Sequence, residues 1–346
     1  MSGKTTFFNL LTGSQLQTGI YHSGKTDVST GHARIPDERV DFLALMFNPK
    51  KTTYAQLEVI DVPALKRGGN EFLSCVRDCD ALVHIVRGFV NEDVLHEEGS
   101  LDIMRDISAI NTELLLADLQ LIETRLSRIK GSQKKKLENP LEEAALERCQ
   151  EQLMEEKPLN LSALTERERE SLTHIAFVTS KPLLIVVNLD EDQFSQKQWP
   201  LKQQVEEYCR EQGYTLLEVC ARMEEEISLL PEEDRGMFME ELGVEESGVG
   251  RLARALYSQL GLASFLTTGE DEVKAWTIRK GLPAKQAAGK VHSDIERGFI
   301  RAETVAFEHL KEAGSMAAAR KLGHFRLEGK EYPVQDGDII NFRFNV

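Results

Sequence analysis

The 346-residue sequence has no apolar run approaching the roughly 18–20 residues that a helix needs to cross a bilayer, which excludes a helical membrane span. Its start, Met-Ser-Gly-Lys-Thr-Thr-Phe-Phe, lacks a basic stretch followed by an apolar segment and a small-residue cleavage site. No secretory signal is therefore expected, and a cytoplasmic location is. Cysteine is sparse: Cys75, Cys79, Cys149, Cys209 and Cys220 form an odd set with no CxxC pair and no histidine at metal-ligand spacing. That pattern excludes a disulfide framework or a zinc module. Basic charge is also short, with 42 Lys and Arg against 57 Asp and Glu, and a net charge of −15 argues against broad, unspecific nucleic-acid binding. The deficit is uneven: residues 1–99 carry −3, residues 100–265 carry −13 and residues 266–346 carry +1. Both ends are thus free to meet RNA or phosphate. The length is that of two or three domains.

What is present begins with buried-type strands. Ala55-Gln56-Leu57-Glu58-Val59-Ile60-Asp61 alternates and ends on an acid, and Ala81–Val86 and Pro182–Asn188 are short continuous apolar runs. Tyr214–Val219 forms a fourth strand pattern, and Val205–Gly213 and Gly250–Tyr257 read as helices. Apolar strands alternating with helices predict a parallel α/β sheet. Between the second and third strands, Ile103, Ile107, Ile110, Leu114, Ala117 and Leu121 recur at steps of four and three, and Leu146, Cys149 and Leu153 continue the seam after a polar break at Lys130–Lys136. This predicts an inserted helical hairpin with a basic tip, which either touches RNA or an acidic partner or is an ordinary solvated hairpin end. From about Thr267 the texture changes to short β runs, Val273–Ile278 and Ile339–Phe344, with turns such as Asp336-Gly337-Asp338, predicting a small β-rich domain.

Gly3-Lys4-Thr5-Thr6, followed at once by the helical Phe7-Phe8-Asn9-Leu10-Leu11, has the form of the back half of a phosphate loop, GxxxxGK[ST]. Glycine lets backbone amides close around phosphate, lysine neutralises its oxygens, and a hydroxyl ligates Mg²⁺ at a helix N-terminus that favours anions. Alone, the four residues could equally be an unstructured tail. Three strand ends strengthen the phosphate reading. Asp61 stands where a metal-side carboxylate belongs, Asn188-Leu189-Asp190-Glu191 is similar to the base-reading NKxD motif, and Val219-Cys220-Ala221-Arg222 is similar to the last base loop. Each alone could be a structural cap. Their order and spacing match a G domain carrying a helical insert.

Longer stretches carry a family resemblance: Phe72–Arg87, Asp106–Leu114, Ala275-Trp276-Thr277-Ile278-Arg279-Lys280-Gly281, His292–Glu303 and Gln335–Val346. With these the chain resembles the YchF/Obg-like ATPase family of P-loop NTPases over essentially its whole length. The resemblance implies an α/β fold: a P-loop G domain with an inserted α-helical coiled coil and a C-terminal β-grasp (TGS) domain. It divides the chain into residues 1–101 and 176–265 as the two parts of the G domain, 102–175 as the insert and 266–346 as the TGS domain. It further implies ATP or GTP as ligand, Mg²⁺ as cofactor, slow attack of water on the γ-phosphate, and the ribosome or RNA as partner through the insert and TGS domain. The alternative is a catalytically degenerate scaffold with the same partners. Carried over residue by residue, Gly3, Lys4, Thr5 and Thr6 cradle phosphate, and Thr5, Asp61 and Thr26 organise Mg²⁺. Asn188, Leu189, Glu191, Cys220 and Ala221 face the base. The family's NxxE form favours adenine, since displacing the NKxD carboxylate weakens its bonds to guanine.

The chain departs from the family pattern at the start and in the switches. The usual first strand and the first glycine of the phosphate loop are missing, from which Met1 is expected to be an internal codon of a longer product. That strand is central in a doubly wound sheet, so its neighbours' apolar faces would be exposed. Switch I reads Ser23-Gly24-Lys25-Thr26-Asp27, with Thr26 beside the aligned position. Switch II reads Asp61-Val62-Pro63-Ala64-Leu65, stiffened by proline and alanine, with leucine where many GTPases place a water-orienting glutamine. His96 matches a histidine proposed to assist hydrolysis in related proteins, its other reading being an exposed loop residue.

Overall fold

The computed structural model describes residues 2–16, 28–62, 70–91, 96, 99–131, 140–244 and 246–345. Thr26, the switch II residues 63–69 and the basic tip from residue 132 lie outside the described residues. In chain order the elements open with α1 (Lys4–Thr12), β1 (Ser29–Arg34), α2 (Glu38–Phe47), β2 (Lys51–Thr53), β3 (Gln56–Asp61), α3 (Asn70–Asp78) and β4 (Leu82–Arg87). There follow α4 (Ile103–Lys130), α5 (Pro140–Met154), α6 (Glu166–Ser171), β5 (Leu183–Asn188), α7 (Glu191–Gln196), α8 (Lys202–Gln212), β6 (Thr215–Val219), α9 (Ala221–Leu229) and α10 (Glu232–Glu241). The last part holds α11 (Gly248–Gln259), β7 (Leu262–Thr267), β8 (Glu272–Arg279), α12 (Ala284–Val291), α13 (Ser293–Arg297) and β9 (Phe299–Ala306). It ends with α14 (Phe307–Ala313), α15 (Met316–Lys321), β10 (Arg326–Glu328) and β11 (Asp338–Phe344). Among the described residues no helix is long and apolar enough to cross a membrane.

Two compact units are formed. The first comprises Met1–Leu10, Ser14–Thr30 and Ile60–Val249, the second Leu11–Gly13, Gly31–Val59 and Gly250–Val346. In the first, β4, β5 and β6 make a parallel sheet in that order, with Leu82 opposite Leu183 and Leu184 opposite Thr215. All six residues of β5 are buried, as the continuous apolar run requires of a strand covered on both faces. Leu82–Ile85 of the edge strand β4 are only half-buried. One face packs Ile103 and Ile107 of α4 and Trp199, Val205 and Cys209 against Ile185 and Val187.

The helical insert leaves the sheet after β4 and returns at β5, so two strands adjacent in space are separated by about a hundred residues in sequence. Ile103, Ile107, Leu114 and Ala117 are buried as the spacing predicts, whereas Ile110 and Leu121 are half-buried. Further along, the seam has moved to Ile122, Leu126 and Ile129, which meet Ala145, Leu146, Cys149 and Leu153 of α5. A helix of 3.6 residues per turn drifts away from a strict 3.5 repeat in this way. Arg125 Nε donates to Glu142 at 2.6 Å, and Arg148 holds Glu168 at 2.9 Å. Asp118, wholly buried in α4, accepts from the Val178 and Thr179 amides just before β5, at 3.1 and 2.9 Å. The segment returning to the sheet is thereby anchored to the insert.

The second unit is built on a six-stranded mixed sheet, β10-β9-β11-β7-β8-β2. Alternation decides its faces. Leu266, Val273, Ala275, Val305 and Ile339 pack toward α2, α11, α14 and α15, while Ala263, Phe265, Ile278, Ile340 and Phe342 pack toward α12. The outermost strand, β2, comes from the N-terminal part of the chain, with Lys51, Thr52 and Thr53 opposite Glu272, Val273 and Lys274. Arg39 reinforces that union, with Nε and Nη2 each 2.8 Å from the Asp37 carboxylate and Nη1 2.8 Å from Asp336 Oδ2. These partners raise its pKa above the ordinary guanidinium value against the opposing effect of burial. Asp336 also accepts the Ser264 amide at 2.8 Å. The adjacent Gly337 has φ +84°, a backbone that favours glycine, and a Cβ there would stand 2.7 Å from Arg39 Nη1 and push the guanidinium aside.

Arg39→Met should leave Asp37 and Asp336 without their cation and lower unfolding stability by about 1–3 kcal/mol, discounted because Asp336 is half exposed. Denaturant unfolding checks this; an unchanged midpoint would show that β2 and the two cores hold the N-terminal segment without it.

Candidate functional site

Gly3 turns the chain into α1 with φ +91°, and its carbonyl accepts the first helical bond from Phe7 at 3.0 Å. The amides of Lys4, Thr5 and Thr6 occupy the first turn, where no carbonyl lies four residues back within the helix to receive them. They therefore face out of the helix end, a setting that suits an anion. Phe7 and Phe8, both buried, fix the helix behind that turn. Across from it, β3 delivers Asp61: Thr5 Oγ1 donates to Asp61 Oδ2 at 3.2 Å, and the Lys4 ammonium bonds both Asp61 Oδ1 and the Val62 carbonyl. Asp61 is mostly buried and Lys4 partly exposed, so the ammonium end of this ion pair is open to solvent.

The two loops expected to face a base converge on the same place. Asn188, the last residue of β5, is 3% exposed. Its Nδ2 donates to the Ser2 carbonyl at 3.0 Å and its Oδ1 accepts the Ala221 amide at 3.0 Å. One side chain thus joins the phosphate turn to the start of α9. Gly3 is required by this arrangement, because a Cβ there would stand 2.6 Å from Asn188 Nδ2. Leu189 is buried in the sheet core, and its amide donates to the Val219 carbonyl at 2.9 Å, locking the ends of β5 and β6 together. Asp190 caps α7, accepting the Gln193 amide at 2.8 Å, while Gln193 Nε2 reaches the Gly88 carbonyl at 2.9 Å. Glu191 is the first residue of α7 and pairs with Arg222 Nε at 3.1 Å. Cys220 precedes α9 and is 2% exposed; burial pushes its thiol up, so it contributes packing rather than charge.

Of the residues singled out in the sequence, Gly3, Lys4, Thr5 and Asp61 come together at one end of α1, and Asn188 ties them to Ala221. Thr6 stands in the same helical turn. His96 is placed by α4, its Nε2 2.9 Å from Asp106 Oδ2, a carboxylate that Arg105 Nη2 also holds at 3.0 Å. Two further contributors emerge from the structure. In the sequence Arg222 belongs only to a loop motif, its basic side chain being the one available signal. Glu224 accepts the Gly248 and Val249 amides at 2.6 and 3.2 Å and so fixes the start of α11; nothing local in the sequence marks it.

The donor set fits magnesium and a polyphosphate. The Thr5 hydroxyl and the Asp61 carboxylate, 3.2 Å apart, are hard oxygen donors of the kind magnesium takes, and the first-turn amides and the Lys4 ammonium suit phosphate oxygens. Asn188→Ala should leave the buried Ala221 amide without its acceptor and cost about 1–3 kcal/mol in unfolding free energy. Gly3→Ala should cost a similar amount, about 1–3 kcal/mol, from strain and crowding. Chemical denaturation of each variant tests this, and wild-type stability in both would contradict the bridge.

A family model described as "YchF-GTPase_C: Protein of unknown function (DUF933)" matches residues 262–345. The chain is 41% identical over 353 aligned positions to the "Ribosome-binding ATPase YchF" of Bacillus subtilis, covering 99% of this chain and 96% of that protein. It is 37% identical to "Obg-like ATPase 1" of Caenorhabditis elegans, covering 99% and 90%. Among solved structures, the Schizosaccharomyces pombe YchF GTPase matches with a TM-score of 0.86 at 31% identity, covering 99% and 94% of the two chains.

Proposed function

The chain belongs to the YchF family, with a P-loop G domain interrupted by a helical insert and followed by a C-terminal β-rich domain, and on that premise we propose that it binds ATP with Mg²⁺ and hydrolyses it slowly in association with the ribosome. The observation that carries the reading is the meeting of Gly3, Lys4 and Thr5 with Asp61, held to the base loops through Asn188.

Phosphate is received by the first-turn amides of α1. Lys4 exchanges the Asp61 carboxylate for the β and γ oxygens, an exchange between two anionic partners that leaves the ammonium neutralised throughout. Released from Lys4, Asp61 would hold Mg²⁺ together with Thr5, and a bound Mg²⁺ would supply positive charge to offset that developing on the phosphate oxygens. At the base, Leu189 has its amide committed to Val219, which leaves its carbonyl as the group that accepts from the adenine amine. Guanine would present a carbonyl oxygen there instead. With Leu65 standing in place of a water-orienting glutamine, in-line attack of water on the γ-phosphate relies on positioning and charge, which supports slow turnover. His96 is the candidate to assist that water, and Thr26 a further candidate for the metal.

Ribosome association is supported by the likeness to the ribosome-binding ATPase of Bacillus subtilis and by the near-neutral charge of residues 266–346, which lets that part approach an RNA-rich partner. The insert, residues 102–175, is the second contact element. The domain boundaries implied by the family resemblance belong to the same proposal.

Lys4→Ala removes one charge-assisted contact of about 1.5–3 kcal/mol, so ATP affinity should fall about 10- to 150-fold, and Mg²⁺-dependent phosphate release with it. Titration with a fluorescent ATP analogue and a phosphate-release assay check both. Release unaffected by Lys4→Ala would sink the proposal, and binding without release would favour a non-catalytic scaffold.

A further inference from the structure

The ion pair between Glu191 and Arg222 bears on which base the site accepts. Glu191 stands where the NKxD motif places the carboxylate that receives the N1 and N2 hydrogens of guanine. In this chain that carboxylate already has a partner, Arg222 Nε at 3.1 Å. The guanidinium is not freely placed. Arg222 follows Ala221, whose amide is fixed by the buried Asn188, and Glu226 one turn further on lies 3.8 Å from the same Nε. The neighbouring acid cannot substitute for Glu191, because Asp190 is committed to capping α7.

We propose that Arg222 is a positioning residue that sets base preference by holding the Glu191 carboxylate, so that guanine must compete with a guanidinium for its acceptor while adenine has nothing to lose. The inference rests on the nucleotide-site reading above and deepens it. The chemistry is asymmetric between the two bases. Adenine has no donor at N1 or C2, so it gains nothing from a free Glu191, and its amine addresses the Leu189 carbonyl. Guanine has both donors and would repay a free carboxylate in full. The ion pair is exposed, with Arg222 77% and Glu191 49% accessible, so its effect is that of a surface pair and not of a buried one.

The test is calorimetric titration of ATP and GTP, each with Mg²⁺, into the full chain and three variants. In Arg222→Ala the ratio of ATP to GTP affinity should fall about two- to fivefold, the range set by an exposed ion pair. Arg222→Lys, which keeps the charge, should retain the wild-type ratio. Adding Glu191→Gln to Arg222→Ala should abolish the gain in GTP binding, which a merely structural role for Arg222 would not do. An unmoved ratio in Arg222→Ala, or an equal loss for both nucleotides, overturns the role of Arg222 while leaving the site intact. Failure of the wild-type chain to bind either nucleotide overturns the site itself and this inference with it.

Discussion

The arrangement of the site depends on a single buried amide. Asn188 ends a strand whose six residues are all covered, and its side chain has nowhere to go except between Ser2 and Ala221. A buried amide without partners costs more than its bonds return, so the chain entering α1 and the chain entering α9 must both come to it. Once they do, the remainder of the geometry follows locally. Gly3 must lack a side chain, the first turn of α1 faces Asp61, and Arg222 is brought to Glu191. The phosphate end and the base end of the site are in this sense one hydrogen-bonded object, centred on the carboxyl end of a parallel sheet, where open α/β folds place their ligands.

Around that centre the fold keeps two demands apart. The sheet of β4, β5 and β6 is built round the wholly buried β5, and the insert leaves and returns between adjacent strands without disturbing their register. Asp118 supports this by fixing the Val178 and Thr179 amides just before β5 begins, so the long helical excursion ends at a defined point. The second unit solves a different problem, covering both faces of a mixed sheet with short helices, and it recruits β2 and α2 from far upstream to do so.

Much of this was legible in the sequence because burial on both faces writes a continuous apolar run. Leu183–Asn188 and Leu82–Arg87 lie within a residue of where their patterns place them, and Asp338–Phe344 closes the chain as expected. The insert was legible through periodicity until the helix drifted from Leu121 to Ile122. The recruitment of Lys51–Thr53 was not. Three residues, two of them threonine, carry no alternation to read, and their pairing with Glu272–Lys274 is decided by contacts more than two hundred residues away. At the site, residue types were readable and partners were not. Motif position alone puts Lys4 on phosphate and Asp61 on metal separately, whereas the fold pairs them with each other. It puts Asn188 on the base, and the structure gives both ends of its amide to the backbone.

The central claim is that the turn at Gly3, the end of β3, the β5–α7 junction and the start of α9 form one nucleotide site. Hydrogen–deuterium exchange of the full chain, with and without ATP and Mg²⁺, tests it most directly. The account predicts that peptides covering residues 2–12, 58–62, 188–193 and 219–224 gain protection together, at the same nucleotide concentration. Protection confined to other segments, or protection of the α1 turn with none at residues 188–193, would contradict it.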